Sequence, residues 1–268
     1  MAESFLITSV QNPKIKEAVK LRERRTRDQT GLFLIEGYRE LSRALLGNQS
    51  IQHVFWCSEF FLGSNEIPLL QDLKQHGAHL YSCDPKVFRK LSYRDRPDGL
   101  IGIAQQKIRD LKSLKLSLNP FLVVAESIEK PGNLGTILRS SDATGVDALI
   151  VCDSCTDPFN PNVVRASVGT LFTVPVIEAS SQDALQWFKN HNIKIVAATP
   201  HAESLYHQVN FNQPVVIALG TEQYGLSEQW MEQADIKVKI PMYGVADSLN
   251  VAMATTVLLY EVLRQRGT

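Results

Sequence analysis

The chain has 268 residues, 44% of them hydrophobic and 21% charged, a makeup that excludes a disordered chain and suits one large or two smaller globular domains. Lys plus Arg equals Asp plus Glu at 28 each, and a zero net charge argues by itself against a partner held by phosphate neutralisation. The distribution reverses that argument: residues 1–107 hold 16 basic against 12 acidic side chains and residues 108–268 hold 12 against 16, which makes the N-terminal part the candidate for phosphate contact.

The opening MAESFLITSVQNPK lacks a basic region followed by an apolar core and a cleavage site, and no run approaches the ~18 apolar residues of a membrane span. A cytoplasmic protein with no membrane partner is expected. Four cysteines are too few for a disulfide framework. Cys152 and Cys155 form a C-x-x-C, but no second close pair or spaced His pair completes a metal site, so no metal is expected.

In chain order, Asn12-Pro13 opens a predicted helix over 12–27, with asparagine as N-cap and proline in the first turn. Along it lie Lys14, Lys20, Arg22, Arg24, Arg25 and Arg27, the candidate phosphate contacts, set against the alternative of a solvated face with internal ion pairs. GLFLIEG, IQHVFWC, AHLYS and GLIGIAQQ read as strands, with helical patterns from Tyr38 to Leu46 and near 66–76 and 85–91. This alternation predicts a small α/β domain over 1–107. Residues 108–119 change to Lys, Ser and Leu and read as a linker.

Residues 120–268 form the second predicted domain. FLVVAE, ALIVC, IKIVAAT and PVVIALG are apolar at nearly every position, as in strands covered on both faces of a parallel sheet with helices on each side. IKVKIPM alternates and belongs nearer an edge. From Ser248 to Arg266 the pattern is a long helix, apolar around most of its circumference, which a subunit interface would cover.

Three segments carry the chemistry. PGNLGTILRSSDATG (131–145) follows a strand; Asn133 sits where an N-cap belongs, Gly145 can end the helix, and Arg139 points away from the stripe Leu134, Ile137 and Leu138. ALGTEQYGLS (218–227) is a strand entering a glycine-bounded loop that holds Glu222, the pattern also of any βα turn. In KIPMYGVADSLNVAMA (239–254), Ser248 is the expected N-cap of the long helix, and the amide of Asn250, two residues in, needs a partner. Neither G-x-G-x-x-G after a strand nor G-x-x-x-x-G-K-[ST] is found, which removes the common nucleotide-binding machinery.

N-L-G-x-I-x-R-x-x-x-A-x-G (133–145), G-x-E-x-x-G-L-S (220–227) and I-P-M-x-G-x-x-x-S-L-N-V-A-x-A (240–254) resemble motifs 1, 2 and 3 of the SpoU (TrmH) branch of the SPOUT methyltransferases, in order and at family-like spacing. The resemblance covers about residues 120–265; residues 1–107 are similar in outline to the small α/β RNA-binding domain of many members. It implies a mostly parallel sheet with a deep trefoil knot, S-adenosyl-L-methionine as cofactor, and a homodimer formed by the C-terminal domain with the active site at the subunit interface. The implied reaction is methyl transfer to a ribose 2'-hydroxyl of RNA, most of all 23S-type ribosomal RNA. Alternatives are a tRNA substrate, or an RNA-binding module with an inactive methyltransferase domain.

By the same resemblance Arg139, Asn133, Glu222, Ser248 and Asn250 are the catalytic set. Thr199, Gly220, Glu222, Ile240, Met242 and Leu249 are the cofactor contacts, several of them through backbone groups. A guanidinium stays protonated at neutral pH, so Arg139 is expected to stabilise developing alkoxide charge and fix a phosphate. Glu222 is expected to hold that guanidinium, Asn133 and Ser248 to bond nucleotide or arginine, and Asn250 to orient the first loop.

Overall fold

The computed structural model describes residues 5–267, with the backbone alone for Phe5; the outermost residues of the two predicted domains, 1–4 and 268, lie outside the described residues. The chain forms two compact units, one of residues 1–107 with 159–173 and one of 108–158 with 174–268.

The first unit comprises β1 (Phe5–Ile7), α1 (Pro13–Lys20), α2 (Arg24–Thr30), β2 (Leu32–Glu36), α3 (Tyr38–Leu46), β3 (Ile51–Trp56), α4 (Glu66–Gln75), β4 (His79–Cys83), α5 (Pro85–Leu91) and β5 (Leu100–Gln105). Its sheet runs β1-β4-β3-β5-β2, with β1, β4 and β3 parallel and β5 antiparallel to both neighbours. Residues 159–173, placed by sequence in the second domain, belong here because Phe33 packs against Phe159 and Phe172, with ring centroids 4.9 and 6.1 Å away. Arg43 also donates to the Val168 carbonyl at 2.5 Å.

The single helix expected over 12–27 is two. Asn12 caps α1 as predicted, its side chain accepting from Lys14 N at 2.9 Å. The helix then stops at Lys20, and Glu23 is extended before α2 begins. A helix end leaves carbonyls without partners, and Arg27 supplies them: its Nη1 donates to Leu21 O at 3.0 Å and Arg22 O at 2.8 Å, with the residue only 1% exposed. A buried guanidinium is thus the reason the helix can break here.

The second unit contains β6 (Phe121–Glu126), α6 (Pro131–Ala143), β7 (Ala148–Cys152), then, after α7 (Pro161–Ala166) in the first unit, β8 (Val176–Ala179), α8 (Ser181–Asn190), β9 (Lys194–Ala198), β10 (Ser204–Leu205), β11 (Val215–Leu219), α9 (Glu228–Gln233), β12 (Ile236–Lys239) and α10 (Val251–Arg266). The strands order as β10-β12-β9-β11-β6-β7-β8, and every pairing is parallel. β6, β7 and β11 are buried at every position, the condition that an all-apolar run predicts. β11 inserts between β6 and β9 while β12 returns on the far side of β9, consistent with the knotted arrangement the resemblance implies. The alternating β12 lies one strand in from the edge, which is the two-residue β10.

Cys152 ends β7 fully buried, and burial pushes its thiol well above the ordinary range, while Cys155 is exposed. The C-x-x-C is therefore no thiolate pair. Among the described residues no group of three His, Cys, Asp or Glu could hold a metal, and no helix is long and apolar enough to cross a membrane.

Candidate active site

Parallel strands all present their C-terminal ends on one side, where open α/β sheets bind ligands. At the end of β6 the chain turns through Ser127 in a left-handed conformation, φ 50°, unusual for a residue with a side chain. Ser127 is held there by its N–H on Cys152 O at 2.9 Å and its hydroxyl on Asp153 O at 3.2 Å. The turn delivers Lys130 as the N-cap of α6, with Pro131 in the first turn. Asn133, the expected N-cap, is instead the third helical residue. With its own backbone already helical, its side chain is free to reach outward.

The loop after β11 is fixed by backbone. Thr221 and Gly225 exchange two hydrogen bonds, at 2.9 and 3.0 Å, and Gly225 has φ 70°. A Cβ on Gly220 would lie 2.0 Å from the Gly225 carbonyl oxygen, so only glycine fits there. Glu126, 5% exposed at the end of β6, accepts from Ser227 N at 2.8 Å and ties this loop to the neighbouring strand. Glu222 stands at its tip.

The third segment also departs from expectation. α10 begins at Val251, and Asn250 is its N-cap, its Oδ1 accepting from Ala252 N at 3.0 Å. Ser248, the expected cap, lies in the exposed loop two residues before it. Capping consumes only the oxygen of the Asn250 amide. Its Nδ2 donates to Asn133 Oδ1 at 3.2 Å and to Glu222 Oε1 at 3.3 Å.

Three motif residues thereby meet. Asn133 Nδ2 donates to Glu222 Oε1, the same oxygen that Asn250 reaches, and Lys130 Nζ pairs with Glu222 Oε2. The amide of Asn250 has its partners as expected, but at an exposed position instead of a buried one. Both carboxylate oxygens of Glu222 are thus engaged by residues other than Arg139, against the expected carboxylate–guanidinium pair. Arg139 is exposed on α6, opposite the fully buried Leu134, Ile137 and Leu138, and six residues beyond Asn133 puts it about 9 Å further along the axis. Among the described residues neither Arg139 nor Ser248 bonds to the Asn133, Glu222 and Asn250 cluster.

Three of the expected cofactor residues, Thr199, Gly220 and Ile240, share one rim. β9, β11 and β12 are adjacent, with Ala197 opposite Ala218 and Ala198 opposite Val238, so Thr199, Gly220 and Ile240 leave three neighbouring strand ends. Among the described residues, the backbone from 240 to 249 enters no backbone hydrogen bond, which leaves its amides and carbonyls able to face a ligand. Ile240 and Met242 are half-buried and Leu249 is 36% exposed. Polar backbone beside partly covered apolar side chains fits S-adenosylmethionine.

Sequence reasoning missed Lys130 and Glu126. A lone lysine before a proline carries no signal; a charged residue closing the otherwise apolar FLVVAE does.

The SpoU rRNA Methylase family matches residues 120–260. The chain belongs to that family. The MRM3-like substrate binding domain matches residues 12–102. A solved RNA 2'-O ribose methyltransferase is 42% identical with a TM-score of 0.85, covering 98% of this chain and 99% of that one. The AdoMet-bound rRNA methyltransferase from Sinorhizobium meliloti is 30% identical with a TM-score of 0.88, covering 97% of each chain. The 23S rRNA (guanosine(2553)-2'-O)-methyltransferase of Bacillus subtilis is 26% identical over 96% of this chain and 98% of its own length. As a SpoU-family member with this fold, the chain is an S-adenosylmethionine-dependent RNA ribose 2'-O-methyltransferase.

Proposed function

We propose that the chain methylates a ribose 2'-hydroxyl in large-subunit ribosomal RNA, acting as a homodimer. The observation that carries the reading is the meeting of Asn133, Glu222 and Asn250 at one point from three separate segments. Ribosomal RNA is favoured over tRNA because the Bacillus subtilis relative, a 23S rRNA enzyme by name, aligns over nearly the whole of both chains.

S-adenosylmethionine, when bound, supplies an electrophilic methyl with its own leaving group. Thr199, Gly220, Glu222, Ile240, Met242 and Leu249 would hold it. The chain's remaining task is to position the hydroxyl and accommodate loss of its proton. Arg139 stabilises charge developing on the ribose oxygen and fixes the adjacent phosphate, which accepts the proton. Asn133, held by Glu222 and Asn250, and Ser248 orient the nucleotide.

Within one protomer Arg139 stands apart from that cluster, and a second copy can supply the missing charge. α10 supports this arrangement. Val251, Ala252, Leu258, Leu259 and Val262 are buried within the protomer, while Met253 and Tyr260, seven residues apart on another face, are 63% and 50% exposed. Tyr243 and Val245 in the preceding loop are almost fully exposed. A second protomer would cover this face. For RNA capture, Lys14, Lys20, Arg24 and Arg25 are exposed, whereas Arg22 and Arg27 are committed to the fold.

The test is incubation of the purified protein with labelled S-adenosylmethionine and ribosomal subunits, followed by mapping of alkali-resistant ribose positions. One 2'-O-methylated nucleotide in large-subunit RNA is expected. Label in tRNA alone would replace the ribosomal reading with the tRNA one, and no label in any RNA would leave a binding module.

A further inference from the structure

The first unit contains a cavity of about 410 Å³ lined by α1, α2 and the face of β3 that carries His53 and Phe55, within the ~300–1,000 Å³ of small-ligand sites. Its lining includes Lys14, Glu17, Lys20, Gln29, His53 and Phe55. The parallel register of β3 with β4 sets His53 opposite His79 and Phe55 opposite Tyr81. The four rings form a row on one face: His53 lies 5.7 Å from both His79 and Tyr81, and Phe55 stacks on Tyr81 at 5.4 Å. Lys14 stands over the Tyr81 ring at 5.1 Å.

We propose that this cavity is a nucleobase subsite, taking a base splayed out of single-stranded RNA against His53, with the flanking phosphates on Lys14 and Lys20. Rings beside lysines are the combination that single-stranded RNA requires, since every base has a stackable face and every nucleotide a phosphate. Gln29 and Glu17 also line the cavity, and a carboxylate there favours a base edge carrying N–H donors. His53 adds a polar group in want of a partner: its Nδ1 is enclosed and makes no hydrogen bond. Burial, with Lys14 and His79 adding to it and Glu17 opposing, holds that imidazole below its ordinary range, so near neutral pH the ring offers a donor and an acceptor instead of a charge. An acidic peptide would use the lysines but not the rings, which makes RNA the better occupant.

The inference rests on the RNA reading of the chain. The full-length protein is titrated with a short unstructured oligoribonucleotide carrying 2-aminopurine, read by anisotropy for affinity and by quenching for stacking, while calorimetry with S-adenosylmethionine checks the second unit. Wild type should bind and quench. His53→Ala, and Thr26→Trp, which fills the cavity with little demand on the core, should lose the quench and weaken binding about tenfold, with S-adenosylmethionine affinity unchanged. Lys14→Ala with Lys20→Ala should weaken binding and lower the salt slope by roughly one to one and a half. Wild-type quench and affinity in both cavity variants overturn the proposal, as does a wild type that does not bind, or polyglutamate that displaces the oligonucleotide from wild type and Thr26→Trp equally. Methylation of ribosomal RNA is assayed alongside: activity with an indifferent cavity removes the subsite alone, and a responsive cavity without activity removes the enzymatic reading alone.

Discussion

Two arginines of the first unit and one asparagine of the second depart from their sequence reading in opposite directions. In the first, the arginines that look most available for RNA turn inward: Arg27 is buried on two carbonyls, and Arg22 donates to the carbonyls of Lys90, Leu91 and Ser92 at the end of α5. In the second, Asn250, which sequence places inside an apolar helix, turns outward and joins Asn133 and Glu222 in the open. A cluster of like charges is therefore weak evidence of a binding face, because helix ends compete for the same donors. Residues of unlike type, spaced across three segments, are stronger evidence, because nothing in the packing of the sheet requires them to meet.

The largest effect that sharpens the contrast belongs to Arg139, exposed on α6. Arg139→Ala should lower methyl transfer by about 10²–10³-fold, the size of removing one preorganised donor at a developing oxyanion, with S-adenosylmethionine affinity and urea midpoint unchanged. Turnover near wild type would take Arg139 out of the mechanism. Next is Arg27→Ala, expected to destabilise the protein by about 3 kcal/mol in urea unfolding, since it leaves two carbonyls unpaired and a cavity behind. Arg25→Glu, on an exposed neighbour, should leave stability within ~0.5 kcal/mol while weakening RNA binding. If Arg27→Ala were as mild as Arg25→Glu, the inward and outward classes would merge.

How much of this was legible in sequence follows from what periodicity encodes. Burial on both faces is written directly into FLVVAE, ALIVC and PVVIALG, so the parallel sheet could be read. β1 and β10, of three and two residues, are too short to carry a period. The break between α1 and α2 depends on a guanidinium reaching back to carbonyls five and six residues earlier, and no propensity records that. In the site, the linked motifs brought forward Asn133, Glu222 and Asn250, which hydrogen-bond to one another. The partner of Glu222 could not be read, because Asn133 and Lys130 lie 89 and 92 residues away and only the loop geometry decides which donor arrives.

The smallest effect concerns Asn250, whose two ends do different work. Its oxygen caps α10 and its nitrogen bridges Asn133 and Glu222, so two substitutions separate the roles. Asn250→Ala removes both and should cost about 1 kcal/mol of stability, the usual worth of an N-cap, together with roughly tenfold in methyl transfer as the bridge is lost. Asn250→Asp keeps an acceptor for Ala252 N, with the negative charge at a helix N-terminus where the dipole favours it. It also replaces the bridging N–H with a carboxylate oxygen facing Glu222. Stability should then stay within ~0.5 kcal/mol of wild type, because cap and repulsion oppose each other at an exposed position, while methyl transfer falls as far as in Asn250→Ala. An Asn250→Asp enzyme with full activity would mean that the cap alone matters and that the three-residue contact does not orient the nucleotide.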